Sequence, residues 1–268
     1  MGVLVQYWFW LAVVSALCFL LERLAPWRRD QPVFRPQLGQ DLFWLIFNGH
    51  FLGLAMAQAS GTLVLWLNAR LGSAGLAAPD TLMWVHGLPL WIQFFVFLVL
   101  KDFVEWCIHN LLHRVPWLWE FHKLHHSITQ LDWIGNFRFH WAEVVVYKTL
   151  TYLPLVVLGV DPRVILWVAI TGTLIGHLNH SNLAISWGPL RYLINSPRMH
   201  VWHHDMILRG QYGQNFGIVL SLWDWVFGTA YMPEAQPKEL GFEQMELFPS
   251  SLAGRFFYPL TRLWSRRH

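Results

Sequence analysis

Apolar residues fall in long unbroken blocks along this chain, and polar residues gather between them. The first block, from about Val3 to Leu24, predicts a helix of membrane-spanning length. It has neither a polar n-region nor a small-residue cleavage site, so it reads as a retained helix and not a removed signal peptide. A second block, Leu42 to Leu67, carries His50 and Gln58 but no full charge. A third begins at Leu88, reaches Leu100 and continues as helix past Lys101 and Asp102. The fourth and fifth, Val144 to Val160 and Val164 to Gly176, are separated only by Asp161-Pro162-Arg163 and predict a hairpin. The expected fold is therefore an all-α integral membrane protein with about four to five spanning or hairpin helices and a cytosolic helical cap. One domain is the simplest organisation. Residues 1–100 are its N-terminal transmembrane helices, 101–230 a histidine-rich catalytic region and 231–268 an interfacial tail. Within the tail, Pro233 to Pro249 reads as a surface segment. The stretch with Phe256, Phe257 and Trp264 against basic residues reads as a helix lying on the membrane.

Composition strengthens this picture. With 55% hydrophobic and only 13% charged residues, and a mean hydropathy of +0.35, the chain is too apolar for an ordinary soluble domain. Its 18 tryptophans suit a protein with indoles at membrane interfaces. Cys18 and Cys107 both fall in apolar runs, which argues against a disulfide framework and against a thiolate metal site. The formal charge of +3 comes from scattered Lys and Arg that form no stripe, so lipid headgroups are the expected counterpart and nucleic acid is not. Arg28, Arg29 and Arg35 place the first loop in the cytoplasm by the positive-inside rule, with the N-terminus outside. Alternating from there puts the Ala69 to Gly87 loop outside. The block after the third span, the stretch after the fifth and the Arg262, Arg266, Arg267 tail then fall in the cytoplasm, of a bacterial inner membrane or an endoplasmic-reticulum-type membrane.

The candidate chemistry sits in that cytoplasmic material. His122-x-x-His125-His126 and His200-x-x-His203-His204 repeat one pattern, and His109-x-x-x-His113 precedes them. At 14 His in 268 residues, a random chain carries about 0.04 copies of HxxHH, and this one carries two. Residues three and four apart share a helix face, so each motif presents a cluster of imidazoles. Adjacent residues diverge by about 100°, so His125 and His126, like His203 and His204, can serve different ions. Eight imidazoles exceed the ligand capacity of one ion, which argues for two metals. His180 and His177 would add a ninth and a tenth ligand. His140 could ligate or pack, whereas His50, His86 and His268 read as structural or tail residues. Imidazole suits iron, zinc, copper and nickel alike. A ring of neutral imidazoles at a lipid boundary, with no HExxH, suits two irons that activate dioxygen against an unactivated C–H bond. Zinc could substitute for iron at such nitrogen sites. A metal transporter or other membrane metal-binding protein would hold its ligands near the bilayer midplane, not at helix ends. A zinc-dependent lipid hydrolase would need neither dioxygen nor reductant.

These residues resemble the fatty acid hydroxylase and sterol desaturase superfamily of membrane non-haem diiron enzymes. The resemblance runs through Lys101-Asp102-Phe103, His109-Asn110-Leu111-Leu112-His113, Trp119-Glu120-Phe121-His122-Lys123-Leu124-His125-His126 and His180-Ser181-Asn182. It continues in Ser196-Pro197-Arg198-Met199-His200-Val201-Trp202-His203-His204, Asn215-Phe216-Gly217 and Trp223-Asp224-Trp225. It implies that His109, His113, His122, His125, His126, His180, His200, His203 and His204 are catalytic iron ligands. It also implies a lipid substrate: sterol, fatty acyl chain, alkylglycerol, carotenoid or aminolipid. Dioxygen would be the co-substrate, with electrons from an external ferredoxin or from a b-type cytochrome and its reductase. Asn110 stands where many members have Arg, and the His177 to His180 spacing is one shorter than the HxxxH of the fatty acid 2-hydroxylase branch. Asp102, two turns before His109, could accept the second ring N–H of a ligand. Asn182, Asp205 and Asn215 are further candidates for that role, and Asp224 is an anchor for the cap. Trp119, Trp133, Trp141, Trp187, Trp202 and Phe137 could wall a substrate channel.

Overall fold

The structure is a computed structural model that describes residues 6–75 and 85–260. The expectations for Trp264, His268 and the Arg262, Arg266, Arg267 tail lie outside the described residues. Among the described residues the chain is helical, and its only β pairing consists of three isolated bridges. Its helices are α1 (Tyr7–Leu24), α2 (Leu38–Ile46), α3 (Gly53–Ser73), α4 (Leu90–Arg114), α5 (Pro116–His126), α6 (Trp141–Val157), α7 (Pro162–His180), α8 (Pro197–His203), α9 (Leu222–Phe227) and α10 (Leu252–Phe257).

Among the described residues, two helices are long and apolar enough to cross a membrane: α1, and the continuous 36-residue run Leu38–Ser73. That run joins α2 to α3 through a π-helical turn, Phe47–Leu52, where Asn48 donates to the carbonyls of Phe137 and Phe139 at 3.0 and 2.8 Å. None of the α3 side chains is buried, and Leu54, Leu63, Leu65 and Trp66 are exposed, as suits a helix solvated by lipid. The other three blocks do not meet the length and apolarity of a span by themselves. In α4 the buried Lys101, Asp102 and Glu105 interrupt the apolar run, and α6 has only 17 residues. The expected hairpin is present: Gly159 ends α6 at φ +72°, and Asp161 caps α7 ahead of Pro162.

Helix α4 extends about 37 Å and packs against α5, α6 and α7. Pro116 opens α5 after a one-residue turn at Val115, so α5 folds back beside α4. Ser196 and Pro197 start α8 in the same way, with the Ser196 hydroxyl accepting from Met199 N at 3.3 Å. Part of the described tail turns inward. Leu240 and Phe242 are buried, and Gly241 N donates to the His204 carbonyl at 3.0 Å, so this segment roofs the cap. Phe256 of α10 stacks on Trp44 at 6.1 Å and also packs on Phe43 and Phe47, whereas Phe257 faces outward. The surface that Phe256 covers belongs to α2, about two hundred residues away in sequence, so local pattern alone does not reveal it.

Candidate metal centre

Four helices deliver the histidines. The last two turns of α4 carry His109 and His113, α5 carries His122, His125 and His126, α7 ends on His180, and α8 with its C-terminal cap carries His200, His203 and His204. The imidazoles sort into two groups. One holds His109, His113, His122, His126 and His203; the other holds His125, His180, His200 and His204. Within each group the facing ring nitrogens all lie within 4.8 Å of one another. The adjacent pairs are thus divided between the groups, as the angular step of a helix dictates.

The opposite ring nitrogens define what the facing ones can do. His109 Nδ1 donates to the Phe216 carbonyl at 2.8 Å, His203 Nδ1 to Gln214 at 2.9 Å and His180 Nδ1 to Gly176 at 2.8 Å. A carbonyl only accepts, so these three rings carry their proton on Nδ1 and turn a bare Nε2 inward. His122 Nδ1 meets the Glu143 carboxylate at 2.9 Å. The Nε2 atoms of His109 and His122 then stand 3.1 Å apart, with the His109 lone pair turned toward His122. Elsewhere the Nε2 atoms pair at 3.0 Å (His126 with His203), 3.2 Å (His180 with His125 and with His200) and 3.3 Å (His200 with His204). Two ligands about 2.1 Å from one ion, at right to tetrahedral angles, stand about 3.0–3.4 Å apart. The residues therefore fit two cations. Burial, followed by the neighbouring imidazoles, holds the rings of α5 and α8 well below the usual histidine range, so they stay neutral and their lone pairs stay available.

The remaining sequence candidates are placed apart from these groups. His177 spends both ring nitrogens elsewhere, on Ser15 Oγ at 3.1 Å and Asn136 Nδ2 at 2.9 Å, tying α7 to α1. His140 caps α6, accepting from Ala142 N and donating to the Phe256 carbonyl at 2.9 Å. Asp102 does not touch a histidine. It accepts from Val219 N, Leu220 N and Trp223 Nε1 at 2.7, 3.1 and 2.9 Å, so its helix face is right but its partner is a loop. Asp224 collects Trp106 Nε1, Phe216 N, Gly217 N and Thr229 Oγ1, and so fixes the loop whose Phe216 carbonyl orients His109. A Cβ at Gly217 would run into the Leu220 carbonyl, which is why that loop needs glycine there. Asn182 pairs with the Arg28 backbone, Asp205 caps Ile207 N, and Asn215 at φ +57° clamps Met199 and Tyr231. Of the proposed wall residues, Trp119 touches the centre, against His113 and His126 at ring distances of 5.0 and 5.1 Å. Trp202, Trp187 and Trp141 pack or bond elsewhere, while Trp133 and Phe137 surround His177.

Two contacts had no counterpart in the sequence reading: Phe139 stacks on His125 at 4.2 Å, and Glu143 orients His122. The available signal was the lone carboxylate in the first turn of α6. Removing such a carboxylate from a ligand histidine typically lowers metal affinity or activity 10–100-fold. The same loss is expected for Glu143→Ala, with Glu143→Gln milder because its amide oxygen still accepts from Nδ1. Metal titration of the two variants checks this, and equal affinity for Glu143→Ala and the unaltered protein would rule the role out.

The family model described as fatty acid hydroxylase matches residues 94–229. Over 229 residues the chain is 31% identical to ornithine lipid hydroxylase OlsE of Rhizobium tropici, covering 84% of this chain and 68% of that protein. Methylsterol monooxygenase 1-1 of Arabidopsis thaliana is 26% identical over 51% of this chain and 46% of its own length. Human alkylglycerol monooxygenase is 27% identical over 48% of this chain and 28% of its own length, so the match spans half or less of these two relatives. No solved structure matches. A family match over half the chain that spans the histidine groups, and a relative aligned across most of both lengths, establish that the chain belongs to the fatty acid hydroxylase family.

Proposed function

We propose that this chain is a multi-pass membrane oxygenase that hydroxylates or desaturates a C–H bond of a lipid at a centre of two irons. The gathering of nine imidazole nitrogens into a group of five and a group of four, each within 4.8 Å, carries the reading, because buried neutral rings so arranged turn their lone pairs toward a shared cation. The relatives support the substrate class, since their names specify an ornithine lipid, a methylsterol and an alkylglycerol. His109, His113, His122, His126 and His203 would hold one iron, and His125, His180, His200 and His204 the other. Bound there, the irons supply activation of dioxygen. In hydroxylation the substrate C–H bond breaks and a C–O bond forms. The second oxygen leaves as water, with two electrons and two protons from an external ferredoxin or a b-type cytochrome and its reductase. The chain's own groups hold the rings in one tautomer through Phe216, Gln214, Gly176 and Glu143, and Phe139 and Trp119 cover the centre against water.

The same reading places the N-terminus outside and the histidine cap in the cytoplasm. Helix α1 and the Leu38–Ser73 helix would cross, and α4 with the α6–α7 hairpin would complete one domain. Lipid extracts of cells with and without the intact chain, compared by mass spectrometry, test the function. The expected result is a lipid that gains one oxygen or loses two hydrogens, only when oxygen and reductant are present. Turnover retained without oxygen would point to a hydrolase, and metal-dependent uptake into vesicles without lipid change to a transporter; either would overturn the proposal.

A further inference from the structure

The last turn of α1 carries a carboxylate that the apolar length of this helix does not explain. Glu22 is 1% exposed and lies on the buried face of α1 with Leu11, Ser15 and Cys18. A buried carboxylate is costly unless its oxygens are bonded, and these are. Its Oε1 accepts from Asn182 N at 2.7 Å and from Trp133 N at 2.9 Å, while its Oε2 faces Arg23 Nη2 at 3.6 Å. Trp133 is the first residue of a short helical turn, Trp133–Phe137, and Asn182 lies just beyond the Ser181 cap of α7. Neither N–H has an intrahelical acceptor, so Glu22 satisfies both.

The two segments that meet at Glu22 stand behind two members of the group of four imidazoles. His180 precedes Asn182 by two residues, and its Nε2 lies 3.2 Å from those of both His125 and His200, which makes it the shared neighbour of the group. All four polar groups of Asn182 are taken by residues 22–28. Glu22 accepts from its N–H, Trp27 N donates to its carbonyl at 2.9 Å, Arg28 N donates to Oδ1 at 2.8 Å, and Nδ2 donates to the Arg28 carbonyl at 2.9 Å. Pro26 and Leu183 add an antiparallel bridge beside them. On the other side, the turn that starts at Trp133 leads to Phe139, which stacks on His125 at 4.2 Å. Asn136 of that turn donates to His177 of α7, whose other ring nitrogen meets Ser15 of α1. Gly176 admits this approach, because a Cβ there would stand 2.6 Å from Asn136 Oδ1. The group of five is carried by other elements: its rings come from α4, α5 and α8, and Phe216, Gln214 and Glu143 orient His109, His203 and His122.

We infer that Glu22 is a positioning residue for the smaller imidazole group, and that α1 thereby belongs to the framework of the metal centre. One carboxylate oxygen ties the segment that ends α7 on His180 to the segment that places Phe139 on His125. Its loss strands two buried N–H groups and loosens the spacing between His180 and His125, while the group of five keeps its supports. An amide oxygen accepts from the same two N–H groups, so Glu22→Gln keeps the tie. This role rests on the two-cation reading of the histidines and not on the identity of the metal or of the lipid.

Metal binding decides the matter without turnover. The full chain in detergent micelles, freed of metal and titrated with cobalt(II), is expected to take two ions. Glu22→Ala is expected to hold one of them about tenfold or more weakly and the other unchanged, and Glu22→Gln to hold both as the unaltered chain does. Adding His204→Ala to Glu22→Ala is expected to weaken no further ion, because both changes act on the same group. Leu11→Ala trims the same face of α1 away from these bonds; it is expected to lower the melting temperature and keep both ions. Coupling between the bonds and the ion is reciprocal, so it is also read in the unaltered chain. Removing the ion released by mild chelation is expected to speed amide hydrogen exchange in residues 132–136 and 181–184. Exchange there that ignores the ion overturns the role, whether or not any variant folds. Two ions held by Glu22→Ala as tightly as by the unaltered chain overturn it as well, as does equal weakening in Leu11→Ala or in Glu22→Gln. An unaltered chain that takes fewer than two ions removes the two-cation reading and this role together.

Discussion

Replacing His204 by alanine is expected to lower turnover by three orders of magnitude or more, on the order of 4 kcal/mol of transition-state stabilisation. It is also expected to strip one of two metal ions under mild chelation. His203→Ala is expected to lower turnover as well, yet to withstand the same chelator. The difference follows from how two adjacent residues are divided. His204 belongs to the group of four imidazoles with His125, His180 and His200, so its loss leaves three nitrogens. His203 belongs to the group of five, so its loss leaves four, a full tetrahedral set. His125→Ala removes another member of the smaller group and should follow His204→Ala. His177→Ala is the control, because both its ring nitrogens bond to Ser15 and Asn136 and none faces the centre. Metal analysis of each purified variant, before and after chelation, reads the outcome. Equal retention in His203→Ala and His204→Ala, or loss of an ion from His177→Ala, would contradict the division into five and four.

Stability should respond most to Asp41. Its carboxylate is fully buried and takes Arg138 in a two-pronged pair at 2.5 and 2.6 Å, with Arg35 Nη2 at 2.6 Å on the same side chain. Arg35 pairs again with Asp132, and Arg138 reaches the Ser127 carbonyl immediately after His126. Arg255 approaches the same cluster through Gln37 and Gln40. Asp41→Ala therefore leaves Arg138 buried with neutral partners and three guanidiniums around a single carboxylate. Breaking a buried pair in this way costs about 3–5 kcal/mol, much of it from the stranded charge. Melting in detergent should shift to markedly lower temperature. The metal should be released in the same transition, since Arg138 braces the turn that follows α5. Arg163→Ala, which removes an exposed pair with Asp161, should leave the melting curve in place. An Asp41→Ala protein as stable as the unaltered chain would show that the network contributes nothing net.

The helical class, the two helices apolar enough to cross a membrane and the α6–α7 hairpin could all be read along the chain, because each depends on residues close in sequence. Hydrophobic runs and the Asp161-Pro162 start signal suffice for them. The histidine motifs were equally visible, since three- and four-residue spacings map directly to a helix face. The tail was not. Phe256 and Phe242 look interfacial until α2 and α5 supply the surfaces they cover. Asp102 shows why a helix-face argument is incomplete. It lies on the same α4 face as His109, but the backbone N–H groups of Val219 and Leu220 reach its oxygens first.

The sequence by itself determined that this protein holds two clusters of imidazoles beside apolar helices, because helix periodicity is a local property of the chain. Which imidazole joins which cluster was decided only by tertiary structure. His180 enters the centre and His177 does not, although both lie in the last turn of α7. The ring that turns toward α5 and α8 finds other bare nitrogens, while the one that turns toward α1 finds a hydroxyl and an amide that satisfy it. A polar seam under His109 has the same origin. Lys101 and Lys148 stand far apart in sequence, and only the packing of α4 against α6 brings both to the Tyr152 ring.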